Sequence, residues 1–167
     1  MPAHGHSAQT VTTVRCAIVT VSDTRTVADD RSGQRIAEIL TAAGHDVCHH
    51  DIVPDEPQII AARADELLRS DAVDALIFNG GTGLAARDST IEALQPLLEK
   101  ELTGFGELFR YLSYHDIGPA AMLSRATAGV ARGCIMVLLP GSTPAVELAM
   151  TRLVVPELGH MVFLASR

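Results

Sequence analysis

Leu76-Ile77-Phe78-Asn79-Gly80-Gly81-Thr82-Gly83-Leu84-Ala85-Ala86-Arg87-Asp88-Ser89-Thr90 is the stretch that decides the fold. Leu76, Ile77 and Phe78 form an apolar run too short for a helix, which reads as a buried strand. Three glycines in the four positions 80–83 permit positive φ and let backbone N–H groups approach a ligand closely. Ser89, with Glu92 three residues later, matches a capping box, so the chain is expected to leave as a helix. Strand, glycine turn and helix start form the arrangement that holds phosphate in open α/β sheets. A tight strand-to-helix turn without a ligand fits the same letters.

The segments on either side repeat the pattern. Residues 14–22 (VRCAIVTVS) predict a first strand, followed by a polar loop with Asp23, Arg25, Asp30 and Ser32. Such a loop lies where ligands bind in this class, and it reads equally well as solvated. Ile36, Ile39 and Leu40 predict a helix over residues 33–43, stopped by Gly44. Residues 46–53 predict a second strand. His49 and His50 are neighbours there, so they point to opposite faces and do not suit one metal. Pro54-Asp55-Glu56-Pro57 opens a helix over 56–69, with Asp55 as its expected N-cap and Gln58 at N3.

Beyond Ser89, Ile91, Leu94 and Leu98 give a helix divided by Pro96. Residues 103–107 (TGFGE) read as a flexible joint before the stripe Phe105, Leu108, Phe109 and Leu112, a core or subunit-contact face. Glu107 is expected in the first turn of that helix, favourable to its dipole or free to reach a ligand. Residues 127–130 and 134–139 predict strand, turn, strand. The second of these ends in Pro140-Gly141-Ser142-Thr143-Pro144, another glycine turn leading into a helix, with Thr143 as N-cap and Pro144 at N1. Pro156 is expected to start a short last helix. Alternating strands and helices predict a three-layer α/β/α sandwich around a mostly parallel sheet, with both glycine turns on one edge. Residues 1–13 are small and polar and read as a disordered tail, leaving 14–167 as a single domain.

Composition narrows the function. The 167 residues carry a net charge of −7 and one lysine, Lys100, which argues against a nucleic-acid groove or an anionic membrane patch. No apolar run reaches the ~18 residues of a membrane span, and the N-terminus lacks a signal-peptide pattern, so a cytoplasmic protein is expected. Cys16, Cys48 and Cys134 form no CxxC pair and read as reduced core thiols. GxxxxGK[ST] and GxGxxG are both absent from the glycine turns. What remains is a cradle of backbone amides with the Thr82 and Ser142 hydroxyls, flanked by Asp55 and Asp88. Two carboxylates beside phosphates suit Mg2+, and phosphoryl or nucleotidyl transfer is the reaction class that fits.

GGTGLAARDST also resembles the GGTG…RD signature of the molybdenum-cofactor biosynthesis proteins of the MoaB/MogA type, relatives of the gephyrin G domain. The likeness continues through Ser22-Asp23, Pro54-Asp55-Glu56, Gly104-Phe105-Gly106-Glu107, Met122-Leu123-Ser124-Arg125 and Leu139-Pro140-Gly141-Ser142, in the family's order. It implies adenylylation of molybdopterin, with ATP as co-substrate, Mg2+ as cofactor and pyrophosphate as the second product. It places the essential carboxylates, and a magnesium ion, at Asp55 and Asp88. Pterin and phosphate recognition would fall on Gly80, Gly81, Thr82, Gly83, Glu107, Ser124, Gly141 and Ser142. It further implies a homotrimer or hexamer, with the molybdenum-insertion enzyme of the same pathway as a candidate partner.

Two departures stand out. Ala86 occupies a position that is often proline, and Thr143-Pro144 replaces a lysine often found after the PGS turn. The LTGFGELFRYLSYHDIG and PGST segments resemble the MoaB branch, some members of which lack the aspartates. Retention of Asp55 and Asp88 favours the enzyme over a non-catalytic molybdopterin-binding protein. The short chain disfavours a scaffold.

Overall fold

The computed structural model describes residues 9–167. Its six strands are β1 (Arg15–Val21), β2 (Asp46–Val53), β3 (Ala75–Asn79), β4 (Lys100–Glu101), β5 (Thr127–Ala131) and β6 (Cys134–Leu139). They form one sheet in the order β2-β1-β3-β6-β5-β4. The first four in that order run parallel; β5 is antiparallel to β6, and β4 to β5. The helices are α1 (Arg31–Ala42), α2 (Pro57–Leu68), α3 (Thr90–Leu94), α4 (Thr103–Ile117) and α5 (Thr143–Ala165).

Side-chain alternation along the strands builds two cores. Ile18, Ile77 and Val137 face α1, α4 and α5 through Ile36, Leu40, Phe109, Val146, Met150 and Leu158. Val19, Leu76, Phe78 and Met136 face α2 and α3 through Ile60, Leu67, Ile91 and Leu94. The three layers and the mostly parallel sheet are those expected. Gly44 takes φ +85° just beyond α1, the left-handed stop that its position predicts.

Several local expectations are corrected. Ser89 precedes α3 but makes no side-chain cap bond; its hydroxyl goes to Asp55, and Glu92 pairs with Arg125 instead. Asp55 likewise caps nothing: α2 starts at Pro57 with Glu56 as its N-cap residue. Ser142, not Thr143, is the N-cap residue of α5. Residues 103–107 are the first turns of α4 rather than a joint, with Gly106 buried, which moves Glu107 out of the first turn. Within the stripe on α4, Phe109 is buried while Leu108 is exposed.

Pro156 stands at the start of an α-helical segment, Val155–Ala165, as expected, but that segment continues the preceding helix without a break. A π turn, Met150–Val154, lies directly ahead of it inside the 23-residue α5. The wider turn accommodates a ring that clashes with the carbonyl four residues back in a regular helix. By length and composition α5 could cross a membrane, but Val146, Ala149, Met150, Val154, Leu158 and Val162 bury its stripe in the first core. Cys16 and Cys134 are buried and Cys48 is exposed. Burial pushes the Cys16 thiol up to about 12. Of the tail assigned to 1–13, residues 1–8 lie outside the described residues, while Val11 donates its N–H to Gly159 O at 3.1 Å.

Candidate functional site

The order of the parallel strands puts a reversal between β1 and β3: β2 lies outside one and β6 outside the other. Ligands bind beyond the carboxyl ends of strands at such a point. Four connections meet there: residues 22–30 after β1, 54–56 after β2, 80–89 after β3 and 140–142 after β6.

The two glycine turns are packed together. Gly80 donates its N–H to Leu139 O at 3.0 Å, and a Cβ on Gly141 would lie 3.1 Å from Gly80 Cα. Gly80 and Gly81 take φ of +96° and +64°. A Cβ on Gly80 would come within 2.3 Å of Val21 O, so glycine is required for the turn to cross β1. Thr90 fastens the exit, its hydroxyl donating to Gly80 O at 2.8 Å and its N–H to Gly81 O at 3.0 Å. Among the described residues, the backbone N–H groups of Gly81, Thr82, Gly83, Leu84, Gly141 and Ser142 donate to no protein acceptor. Unpaired, closely grouped amides form the kind of concavity that accepts an anion.

A cavity of about 370 Å3 opens over these turns, lined by Gly80, Gly81, Thr82, Gly83, Asp88, Ser124, Gly141 and Ser142, with Leu123 and Pro140. Eight of the ten expected site residues therefore share one surface, including one expected carboxylate. Asp88 Oδ2 accepts the Ala85 N–H at 3.0 Å, while Oδ1 has no hydrogen bond among the described residues.

Asp55 and Glu107 do not line this cavity. Asp55 is 6% exposed and packs behind the turn, its Oδ2 2.6 Å from where a Cβ on Gly81 would stand; its Oδ1 accepts the Ser89 N–H at 3.0 Å and the Ser89 hydroxyl at 2.5 Å. Glu107 lines a larger neighbouring cavity of about 500 Å3 with Thr103, Arg110, Arg125 and Thr127. For magnesium, Asp88 Oδ1 and Asp55 Oδ2 are carboxylate oxygens that accept no hydrogen bond among the described residues, and both stand beside the glycine turn, a donor set that phosphate oxygens would complete. Among the described residues no group of three or more His, Cys, Asp or Glu side chains is arranged to hold a metal.

Arginines and a buried polar network complete the site. Arg25 donates to Ser32 Oγ at 2.5 Å and to Gly141 O at 2.9 Å. Arg87 forks onto Asp23 at 2.8 and 3.0 Å and reaches Glu56 at 2.9 Å, tying three loops together. Its hydrogen bonds hold the Asp23 carboxyl below the usual range. Beneath the turns, Thr20, Asp30, Ser32 and Asn79 are fully buried and bonded in series: Ser32 to Asn79 (2.7 Å), Asn79 to Thr20 (2.9 Å) and Thr20 to Asp30 (2.7 Å). His50 meets Asp30 at 2.9 Å. Burial drives the Asp30 carboxyl up, but hydrogen bonds from Thr20, His50 and Gly33 outweigh it and leave the group below its ordinary value. Arg25 falls in the loop that the sequence marks as a pocket candidate, and Arg125 in the Met122-Leu123-Ser124-Arg125 motif, but their contacts with the glycine turns come from parts of the chain far away in sequence.

A family model described as a probable molybdopterin binding domain matches residues 17–160. The chain belongs to this molybdopterin-binding domain family. It is 49% identical to the molybdenum cofactor biosynthesis protein B of Halalkalibacterium halodurans, over 97% of this chain and 96% of that one. Among solved structures, a molybdenum cofactor biosynthesis protein B superimposes with a TM-score of 0.89 at 50% identity, covering 91% of this chain and 95% of the other. The tungsten cofactor synthesizing protein MoaB from Pyrococcus furiosus does so with a TM-score of 0.83 at 37% identity, covering 93% and 98%. The family members matched here are thus MoaB proteins over essentially the whole domain, and the fold is theirs.

Proposed function

We propose that this protein acts in molybdenum cofactor biosynthesis by binding molybdopterin at the carboxyl edge of the sheet and adenylylating it with ATP. A phosphate oxygen of molybdopterin attacks the α-phosphorus of ATP, the α–β anhydride bond breaks, and pyrophosphate leaves. The observation that carries this reading is the packing of two glycine turns, with unpaired amides, against Asp88 in one cavity of about 370 Å3. Two polyanions can approach only where fixed donors replace water, and preoriented backbone amides do so without reorganisation. The Ser124 and Ser142 hydroxyls lie in the same wall and supply further donors. Asp88 and Asp55 would hold Mg2+ through their free oxygens together with phosphate oxygens, and the ion would supply charge neutralisation. Self-association into a trimer or hexamer accompanies the reading; Leu108, Tyr111 and Ile117 on α4 are exposed and offer a contact face.

The test is turnover. Purified protein with molybdopterin, ATP and Mg2+ is expected to release pyrophosphate and form adenylyl-molybdopterin, and Asp88→Ala to abolish both. Tight pterin binding with ATP left intact would refute the transfer. One observation favours that second reading, binding without transfer: the Asp55 carboxylate is engaged with Ser89 and does not line the cavity that Asp88 lines.

A further inference from the structure

Arg125 stands behind the signature turn. Its Nε donates to Thr82 O at 3.1 Å and its Nη2 to Gly83 O at 2.7 Å, while Nη1 pairs with the Glu92 carboxylate on α3. Three guanidinium nitrogens are thus committed, and the side chain is only 28% exposed. In a trans peptide the C=O and the following N–H point in opposite directions. Fixing the carbonyls of Thr82 and Gly83 on Arg125 therefore turns the N–H groups of Gly83 and Leu84 to the far side of the turn. Neither N–H has a protein acceptor among the described residues. Gly83 lines the 370 Å3 cavity, from which Arg125 is absent; Gly83, Leu84 and Arg125 together line a second cavity of about 380 Å3 beside it.

We infer that Arg125 is a positioning residue, which aims the Gly83 and Leu84 amides at a phosphate-class anion by holding the carbonyls of the turn from behind. The inference rests on the reading of the turn as a phosphate cradle. A glycine at 83 has wide conformational freedom of its own, so the direction of these amides needs an outside constraint. A planar fork meets two successive carbonyls and a carboxylate at once; an ammonium is a point charge on a flexible stem and does not reproduce that geometry. Pairing with Glu92 also offsets much of the charge on Arg125, so its main effect on an anion across the turn is through geometry.

The test uses the full chain and inorganic pyrophosphate, with affinity from calorimetry and the 15N-resolved amide shifts of Gly83 and Leu84 followed in the same titration. Wild type is expected to bind and to move both amides. Arg125→Lys is expected to bind about tenfold or more weakly, the loss of one to two charge-assisted donors, and to leave those two amides unmoved. Arg125→Ala is expected to do the same, and if it fails to fold, the lysine variant, its fold checked by amide dispersion, decides alone. Wild-type affinity in Arg125→Lys would show that charge alone suffices and overturn the assignment. Weak binding with Gly83 and Leu84 still moving would make Arg125 a direct ligand contact and overturn it as well. Absence of pyrophosphate binding by wild type would instead refute the phosphate reading of the turn, on which the assignment depends.

Discussion

The Asp55 carboxylate accepts both the backbone N–H and the hydroxyl of Ser89, at 3.0 and 2.5 Å, across 34 residues of chain. This bond pair fixes the start of α3, and with it the direction in which the adjacent Asp88 enters the cavity. Asp55→Ala would leave two half-buried donors without their acceptor, at a cost of about 1–2 kcal/mol by urea denaturation. Ser89→Ala, which keeps the backbone N–H bond, is expected to cost roughly 1 kcal/mol. The double variant should cost less than the two losses added, because the pair is one unit. A metal ligand without this structural role would leave the stability of the metal-free protein unchanged in Asp55→Ala, and that result would remove the assignment.

Gly80 and Gly44 separate two reasons for glycine. Both have positive φ, +96° and +85°, but a Cβ at Gly44 meets nothing within 4 Å, while one at Gly80 lies 2.3 Å from Val21 O. Gly44→Ala therefore carries only the left-handed backbone cost, about 1–2 kcal/mol. Gly80→Ala adds a collision with the β1 main chain, which cannot be relieved by a rotamer change, for a total of roughly 3–5 kcal/mol. Denaturation midpoints of the two variants under the same conditions give the comparison; equal losses would mean that the turn shifts freely away from β1.

The sequence was most legible where one local pattern decides the structure. β2 runs over Asp46–Val53 as its composition predicts, and Gly44 stops α1 because little but glycine fits that φ. The glycine turns were legible for the same reason, and their shared edge followed from strand alternation. What stayed hidden depends on residues far apart in the chain. Ser89 has the pattern of a cap, yet Asp55 claims its hydroxyl, and Glu92 is claimed by Arg125 33 residues on. β4 is two exposed charged residues, Lys100 and Glu101, with no apolar alternation, and it is a strand only because β5 lies beside it. Asp55 and Asp88 were expected together because both sit at strand ends, but that places them on one edge and does not say which cavity each side chain reaches.

His45 gives a pH dependence. Its ring is 9% exposed, and Nδ1 accepts the Val14 N–H at 3.2 Å, so the neutral form is the one that fits. Burial holds its pKa below the ordinary value, with Asp46 pulling weakly the other way. Between that lowered value and about 6.5 in the unfolded chain, the unfolded state binds more protons. The contribution is therefore complete above about pH 6.5 and is lost as pH falls through this window. Stability measured from about pH 7.5 to 5.5 is expected to fall more steeply in wild type than in His45→Gln, whose side chain cannot titrate. The remaining histidines are common to both proteins and cancel in the difference. Parallel curves would show that His45 protonates without cost.

Asp30 acts in the opposite sense, at lower pH and beneath the site itself. Its carboxylate is fully buried and takes Thr20, Gly33 and His50, while Arg25 lies 3.6 Å away and reaches on to Gly141 O. The folded-state pKa lies below the unfolded one, so its contribution is present above about pH 4 and disappears as pH falls through the folded value. Asp30→Asn keeps the shape but turns an acceptor into a donor facing other donors, and is expected to cost about 3 kcal/mol at neutral pH. Its stability should also decline less than that of wild type as pH falls below about 4. Because Arg25 would lose its neighbouring negative charge, its grip on Gly141 should loosen, and hydrogen exchange at Gly141 and Ser142 is expected to quicken in Asp30→Asn. Unchanged exchange there, with the stability loss intact, would show that the buried network supports the fold without holding the second glycine turn.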